Sequence, residues 1–139
     1  MGENLKIKQA IKQVFPVIES DTSLGAAINL MAQEDVSVLV VKNEGELAGI
    51  FTASDVMQAL ANDYDLEKTK ISIFMTGCRI DDKNPTNKIC AQLDEDDDVM
   101  SALKVMYTGG INHLLVTGEK NKLLGVVSNL DLIKLIAFK

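Results

Sequence analysis

The stretch GIFTASDVMQAL, residues Gly49–Leu60, decides the fold because it returns as GVVSNLDLIKLI at Gly125–Ile136. In both copies a glycine precedes two apolar residues and a hydroxyl residue, and an aspartate comes three positions after the hydroxyl. An apolar pattern with helical spacing then follows Asp55 and Asp131. Each copy therefore predicts the end of a strand, a turn and the first turn of a helix.

The repeat extends upstream of these two stretches. Ser23–Met31 (SLGAAINLM) matches Asp98–Met106 (DVMSALKVM), and Asp35–Val41 matches Gly110–Val116, both at an offset of 75 residues. The offset between the two aspartates is 76, and the change falls where KNEGELA stands against TGEKNKLL. Insertions collect in hairpin turns, so a duplicated domain is expected to slip by one residue at such a place.

Each half contains the same predicted series of elements: a short strand, a capped helix, two strands and a second helix. The first helix of each half has an acidic start, so we expect Asp21 or Thr22 to cap one and Asp96 or Asp97 the other. The paired strands are predicted as VSVLVV with LAGIFT, and as INHLLV with LLGVVS. The second helix follows at once in both halves.

The sequence thus predicts an α+β fold of two repeats. Residues 1–69 form the first, with an N-terminal helical lead-in, and residues 70–139 form the second. Neither half is long enough for a full core of its own, so we expect the two to pack sheet to sheet.

The composition narrows the class of protein. With 47% apolar residues in 139, the chain is expected to have a packed globular interior. Its net charge is −6 and no basic stripe with interleaved aromatic residues occurs, so a nucleic-acid partner is not expected. No apolar run approaches the roughly 20 residues that span a bilayer, and the N-terminal sequence lacks the apolar segment of a signal peptide. We therefore expect a cytoplasmic protein without a membrane partner.

Two interpretations of the repeated aspartate are open from the residues alone. Carboxylates commonly satisfy free backbone amides in the first turn of a helix, and Asp55 and Asp131 fit that role. A strand end, a turn and a helix N-terminus also gather several N–H groups, which suits a polar or anionic ligand. A carboxylate there accepts two hydrogen bonds from a vicinal diol, as an acidic residue does for ribose in dinucleotide folds. The repetition of both hydroxyl and aspartate favours the second interpretation.

The two stretches, each preceded by a helix, a strand and a turn, resemble tandem CBS domains, the pair known as a Bateman module. The resemblance covers the chain from about Val14 to Ala137. It implies two repeats that associate through their sheets around a pseudo-two-fold axis and leave two clefts between them. Members of this family bind adenosine compounds there, such as AMP, ADP, ATP, S-adenosylmethionine or dinucleotides. It also implies flat, disc-like homodimers.

The resemblance assigns ligand-binding roles position by position. The aspartates would hold ribose hydroxyls, the hydroxyl residues would face phosphate or ribose, and each cleft would borrow residues from the opposite repeat. The residues implied for the first cleft are Ile50, Thr52, Ser54, Asp55, Gln92, Ile111, Asn112 and His113. Those implied for the second cleft are Ile18, Ser20, Val36, Ser37, Val126, Ser128 and Asp131.

The supply of cations departs from the family pattern. Members often place Arg or His near the start of the strand that meets phosphate; the second repeat offers Asn112 and His113, the first only Ser37 and Val38. His113 is the only histidine, and it would carry a partial charge near neutral pH unless a phosphate raised its pKa. We therefore expect unequal occupancy of the clefts and a mono- or diphosphate or a nucleoside as ligand.

Other chemistry-bearing residues favour structural roles. The run LDEDDD at 93–98 lacks the alternating spacing of a calcium loop and is better explained as a solvated helix start. Cys78 and Cys90 are expected to be buried thiols, although a disulfide between them stays open. The polar segment 76–89 is expected to be an exposed loop that covers a cleft or contacts a partner, with Arg79 as a phosphate clamp or an ordinary surface residue.

The function that we expect is a stand-alone regulatory module that binds an adenosine-type ligand and signals through repeat packing or dimer geometry. It needs no resident cofactor or metal, and its output is expected to be a separate, unknown protein. One alternative is a scaffold or dimerisation module with degenerate clefts. Another is an α/β enzyme that uses Asp55 or Asp131 as a general base, which lacks a partnering acid and is disfavoured.

Overall fold

The structure, a computed structural model, describes residues 5–10, 15–77, 92–119 and 122–137. The chain forms two compact units. The first unit consists of Pro16–Cys90, and the second combines Met1–Phe15 with Ala91–Lys139. In the described residues no helix is long and apolar enough to cross a membrane.

Both units contain the same order of strands and helices, and the first unit has an additional short strand after its second helix. The first contains β1 (Val17–Glu19), α1 (Leu24–Glu34), β2 (Val38–Asn43), β3 (Glu46–Thr52), α2 (Ala53–Ala61) and β4 (Thr76–Gly77). The second contains β5 (Gln92–Asp94), α3 (Val99–Gly109), β6 (His113–Thr117), β7 (Leu123–Ser128) and α4 (Asn129–Ala137). Single turns of 3₁₀ helix occur at Ile71–Ile73 in the first unit and Ile7–Gln9 in the second.

Each unit has its own sheet, and the α+β fold of two repeats is confirmed. The strand order is β1-β2-β3-β4 in one sheet and β5-β6-β7 in the other. The first strand is parallel to its neighbour in both sheets, because α1 or α3 connects the two strands as a crossover. The remaining pairs are antiparallel, and of these β2–β3 and β6–β7 are hairpins.

The two hairpins explain the one-residue change in the repeat offset. In β2–β3 a two-residue turn at Glu44 and Gly45 has φ values of 53° and 84°, the left-handed conformation that tight hairpins require. In β6–β7 the N–H of Gly118 donates to the carbonyl of Lys122 across a longer connection. Both ladders shift register after equivalent residues, Val41 and Val116. The predicted position of the slip is therefore confirmed.

The cores of the two units are built from equivalent positions. Each combines the apolar stripe of the first helix with alternate residues of the hairpin, because one face of each sheet packs on the helices. The first core consists of Leu24, Ala27, Met31, Leu39, Val41, Phe51, Ala59 and Ile71. The second consists of Ile7, Val99, Ala102, Met106, Leu114, Val116, Val127 and Leu132.

The helix caps differ from the predicted ones. The side chain of Ser23 accepts from the N–H of Ala26 at 3.2 Å, so it caps α1 in place of Asp21 or Thr22. Asp98 accepts from the N–H of Ser101 at 2.7 Å and caps α3 in place of Asp96 or Asp97. The predicted caps were wrong because several suitable side chains precede each helix, and only the one at the N-cap position reaches the free N–H groups.

The segments that precede the two repeats are exchanged between the units. We name residues 5–10 (LKIKQA) lead-in 1 and residues 69–74 (TKISIF) lead-in 2. The side chain of Ile7 is fully buried in the core of the second unit, and that of Ile71 is fully buried in the core of the first. Each lead-in therefore completes the core of the repeat that it does not precede.

The backbone bonds of the two lead-ins are equivalent as well. The N–H of Ile7 donates to the carbonyl of Asp97, and that of Ile71 donates to the carbonyl of Thr22. In return, the first N–H of α3 donates to Leu5 and that of α1 donates to Thr69. The first N–H group of each helix is thus bonded to the lead-in that precedes the other repeat. A helix leaves such N–H groups without a partner of its own, and these bonds satisfy them.

The structural units consequently differ from the predicted halves at 1–69 and 70–139. Lead-in 1 belongs with the second repeat and lead-in 2 with the first. Within the predicted loop at 76–89, Thr76–Gly77 form β4 and pair with Gly49 and Ile50 of β3. Cys78, Arg79 and Cys90 lie outside the described residues.

Candidate functional site

The junction of β3 and α2 holds Asp55 in a reciprocal bond with Thr52. The N–H and hydroxyl of Thr52 donate to the Oδ2 atom of Asp55 at 2.8 and 3.2 Å. The N–H of Asp55 donates back to the Thr52 hydroxyl at 3.4 Å. This capping box fixes the carboxylate at the helix N-terminus, where the helix dipole favours a negative charge.

The junction of β7 and α4 is built in the same way. The N–H of Ser128 donates to the Oδ2 atom of Asp131 at 3.0 Å, and the N–H of Asp131 donates to the Ser128 hydroxyl at 3.1 Å. All four side chains are half-buried. The capping interpretation of the two aspartates is thus correct in both repeats, and the ligand-binding interpretation remains a prediction.

The carboxylate of Asp55 is affected by its partial burial. Partial burial raises the pKa of Asp55 above its ordinary value, and the hydrogen bonds from the Thr52 N–H and hydroxyl oppose that rise. In the described residues, the bonds that Asp55 accepts end on Oδ2, so its Oδ1 atom accepts none. A half-buried carboxylate with one oxygen that accepts no hydrogen bond can accept hydrogen bonds from a ligand there.

Within each repeat, the start of the second strand (β2 or β6) lies next to the strand–helix junction that carries the aspartate. The N–H of Ala53 donates to the carbonyl of Ser37 at 3.0 Å, and the N–H of Asn129 donates to that of Asn112 at the same distance. Val36, Ser37, Ile111 and Asn112 precede β2 and β6, whereas they were predicted inside those strands. They lie outside the strands because their backbone is bonded to the end of the preceding helix. The N–H groups of Val36 and Ile111 donate to carbonyls in the last turn of α1 and α3, respectively.

The structure therefore brings each strand start together with the aspartate of its own repeat. His113 is paired with Ser128 across the β6–β7 ladder, as Val38 is with Thr52 across β2–β3. The predicted combination of Asp55 with residues 111–113, and of Asp131 with residues 36–37, remains a prediction.

The other predicted site residues occupy three kinds of position. Ile50 and Val126 are buried in the middle of β3 and β7, and Ser54 is exposed in the first turn of α2. Ile18 lies in β1, and Ser20 follows it with its hydroxyl 3.4 Å from the side-chain oxygen of Asn43. Gln92 is the first residue of β5.

Sequence reasoning missed Asn129 at the second junction. Its amide nitrogen donates to the side-chain oxygen of Asn112 at 3.3 Å, and its side-chain oxygen accepts from the N–H of Leu130 at 2.7 Å. The equivalent residue of the first repeat is Ala53, which lacks these groups. The signal was the Asn after Ser128 at a predicted helix start, where such a side chain commonly bonds to nearby backbone.

The acidic run at 94–98 is explained by local bonds. Asp94 and Asp97 accept from nearby backbone N–H groups of the same turn, while Asp98 caps α3. In the described parts of the chain, no group of three His, Cys, Asp or Glu side chains could hold a metal ion. The acidic run therefore acts as turn and cap.

A duplicated β–α–β–β–α unit with a hydroxyl–aspartate box at each final junction defines a class of small paired domains. The profile of the CBS domain matches this chain at residues 7–62 and again at 87–138. The protein belongs to the CBS-domain family, and its two repeats form a CBS pair.

Known proteins similar to the chain share this domain in different settings. The chain is 33% identical over 125 residues to an inosine-5'-monophosphate dehydrogenase of Methanocaldococcus jannaschii. The aligned region covers 89% of this chain but only 22% of that enzyme. The chain thus spans about a fifth of this relative, so the similarity concerns the CBS pair alone.

Two solved structures show the same fold at lower identity. The CBS domain pair of protein MJ0100, in complex with 5'-methylthioadenosine and S-adenosyl-L-methionine, has a TM-score of 0.76 at 24% identity, with 96% of each chain covered. A hexameric CBS-CP12 protein from bloom-forming cyanobacteria has a TM-score of 0.78 at 20% identity, with 94% of this chain and 67% of that one covered.

Proposed function

We propose that the protein is a regulatory CBS pair that binds an adenosine-type ligand through its two strand–helix junctions. The observation that carries this proposal is the hydroxyl–aspartate box, built twice at equivalent positions, with Thr52 and Asp55 in one repeat and Ser128 and Asp131 in the other. A cap alone requires neither the repetition nor the same pairing of residue types.

The chemistry of the box suits a ribose. The bond from the Thr52 N–H fixes the Oδ2 atom of Asp55, so the remaining oxygen is oriented without a further loss of side-chain freedom. A vicinal diol would donate to the carboxylate, and such charge-assisted bonds are shorter and stronger than neutral ones. The raised pKa of Asp55 reflects the desolvation of its carboxylate. Hydrogen bonds from the two ribose hydroxyls would offset this desolvation.

The charge of the proposed site favours a ligand with little negative charge. No Lys or Arg occurs in the segments 18–20, 36–38, 50–55, 111–113 and 126–131, and His113 is their one titratable base. A triphosphate would bring up to four negative charges to an acidic protein without cationic partners in these segments. We therefore rank AMP, a neutral nucleoside and the sulfonium S-adenosylmethionine above ATP. The two ligands named for the MJ0100 domain pair are of this kind.

The remaining site residues are proposed as the walls of two clefts. Ile50 and Val126 would contact the adenine, while Ser54 and Ser20 would supply polar contacts. Gln92 remains a predicted site residue. His113 and Asn112 would meet a phosphate or a ribose, so the cleft that contains them would bind a monophosphate better than the other. Occupancy of the two clefts would therefore be unequal.

The proposed output is a change in assembly or partner binding rather than a reaction. A ligand can signal only if it binds two arrangements of the repeats with different affinity. We propose a homodimer as the assembled form and an as yet unidentified protein as the receiver of the signal. The CBS-CP12 protein described above forms a different oligomer, a hexamer.

Calorimetric titration tests this function. The protein would be titrated with AMP, ADP, ATP, S-adenosylmethionine, 5'-methylthioadenosine and NAD, and so would the Asp55→Asn and Asp131→Asn variants. Asparagine keeps an oxygen that accepts the capping bond, so the variants should stay folded while the charge is lost. We expect saturable binding that one variant weakens by about tenfold to a hundredfold, the effect of losing one or two charge-assisted bonds.

A matched control is Asp63→Asn. Asp63 is exposed and has a φ of 56°, a left-handed conformation that asparagine also adopts readily, so this variant removes a carboxylate without strain. It should bind as the unaltered protein does. If no ligand binds well-folded, dialysed protein, the scaffold function replaces the proposed one.

A further inference from the structure

The two lead-ins make equivalent backbone contacts but face different charges. Lead-in 1 carries Lys6 and Lys8, whereas lead-in 2 carries Lys70 alone. The turn that receives lead-in 1, Asp94–Asp98 (DEDDD), has a carboxylate at each of its five positions. The equivalent turn that receives lead-in 2, Glu19–Ser23 (ESDTS), has two.

Lead-in 1 contacts its receiving turn through the charged group of Lys8 and through the backbone of Lys6. The Nζ atom of Lys8 lies 3.3 Å from Oδ1 of Asp96, and Lys6 forms an isolated β-bridge with Asp98. The side chains of Lys8 and Asp96 are 53% and 68% exposed, so salt reaches this pair. In the parts of the chain that the structure describes, lead-in 2 forms no ion pair, and its corresponding β-bridge joins Lys70 to the uncharged Ser23.

We propose that lead-in 1 is a strap whose attachment to the second unit is controlled by ionic strength, while lead-in 2 is a permanent part of the first unit. Lys8 is paired with Asp96 and the backbone of Lys6 lies beside Asp98, so two positive charges offset the repulsion among the five carboxylates. Dissolved salt screens this attraction. The same salt has little to screen at lead-in 2.

Release of the strap has a defined structural consequence. Ile7 would leave the core that it shares with Val99 and Met106, and the first N–H of α3 would lose its bond to Leu5. The apolar space that Ile7 fills would then be exposed beside the acidic turn.

Native-state amide hydrogen exchange of the full chain tests the strap. The N–H groups of Ile7 and Lys8 report on lead-in 1, since they donate to Asp97 and Glu95, and the N–H of Ile71 reports on lead-in 2. Raising NaCl from about 0.05 M to about 0.5 M should speed exchange at Ile7 and Lys8 by about twofold to fivefold relative to Ile71.

Matched variants separate charge from packing. Lys8→Gln should speed exchange at Ile7 at low salt and flatten its salt dependence, whereas Lys70→Gln should change neither position by as much as twofold. Equal salt dependence at Ile7 and Ile71 would overturn the proposal. So would exchange of both groups only through global unfolding, because the strap would then have no opening of its own.

Discussion

Thr52 and Asp55 bond each other in both directions, through backbone N–H groups and side-chain oxygens at 2.8 to 3.4 Å. Ser128 and Asp131 repeat this relationship 76 residues later. One short motif thus has two tasks in each repeat: it starts the helix, and in our proposal it also presents a carboxylate to a ligand.

The structural task of the box predicts a loss of stability in alanine variants. Asp55→Ala and Asp131→Ala each remove an acceptor for a helix-start N–H, so we expect each to lower the free energy of unfolding by about 0.5–2 kcal/mol. Urea unfolding measures this directly. An unchanged midpoint in both variants would mean that the box does not support the helices.

Asp55 and Asp98 predict opposite effects of pH on stability. Burial raises the pKa of Asp55 in the folded protein. The contribution of Asp55 to the free energy of unfolding is therefore most favourable below the ordinary carboxyl range, and it is lost as pH rises through the raised pKa. Hydrogen bonds from Ser101 chiefly lower the pKa of Asp98, so its contribution is present above the ordinary range and is lost as pH falls through the lowered value.

Unfolding experiments between about pH 3 and 7 check these signs. The stability of the unaltered protein relative to Asp55→Asn should fall as pH rises, and its stability relative to Asp98→Asn should rise. Two trends of the same sign would contradict the assigned causes.

The ends of α1 and α3 predict a pair of opposite mutational effects. Asp35 ends α1 with φ 53° and Gly110 ends α3 with φ 65°, at equivalent positions of the repeat. Glycine adopts this conformation without strain, so Asp35→Gly should stabilise the protein by a few tenths of a kcal/mol to about 1 kcal/mol, and Gly110→Ala should destabilise it by about 1 kcal/mol. Thermal unfolding of the two variants measures both signs, and stabilisation by Gly110→Ala would contradict this account.

The exchange of lead-ins predicts that a mutation acts on the repeat that it does not precede. Ile7→Ala and Ile71→Ala should each cost about 2–5 kcal/mol, since both side chains are fully buried. Ile7→Ala should speed hydrogen exchange at Ala102 in α3 more than at Ala27 in α1, and Ile71→Ala should do the reverse. Effects confined to the sequence-adjacent repeat would be inconsistent with the exchange.

Much of this architecture could be predicted from the sequence because it is encoded in local periodicity. The hydroxyl–aspartate spacing, the helical stripes and the hairpin slip all appear as short-range patterns, and the structure confirms the elements that they predict. The capping residues at Ser23 and Asp98 were harder to predict because neighbouring residues have the same chemistry, and only the backbone geometry selects between them.

The lead-in exchange could not be predicted from local patterns. LKIKQA and TKISIF share only the pair Lys-Ile, and neither segment contains a pattern that predicts which helix start it contacts. Their partners are set by tertiary packing of a single buried isoleucine. The same limit applies to the candidate site, since the sequence places Ser37 and Asn112 near strand starts but does not specify that Ala53 and Asn129 bond to them.

The most direct measurement compares adenosine with 2',3'-dideoxyadenosine by following the backbone amide NMR signals of Thr52 and Ser128. Our account predicts that adenosine shifts at least one of these signals saturably, while the caps at Ser23 and Asp98 stay unchanged, because only the junction carboxylates meet the diol. The dideoxy compound should bind far more weakly. Equal shifts with both compounds, or none at the junctions with either, would contradict recognition of the ribose by Asp55 or Asp131.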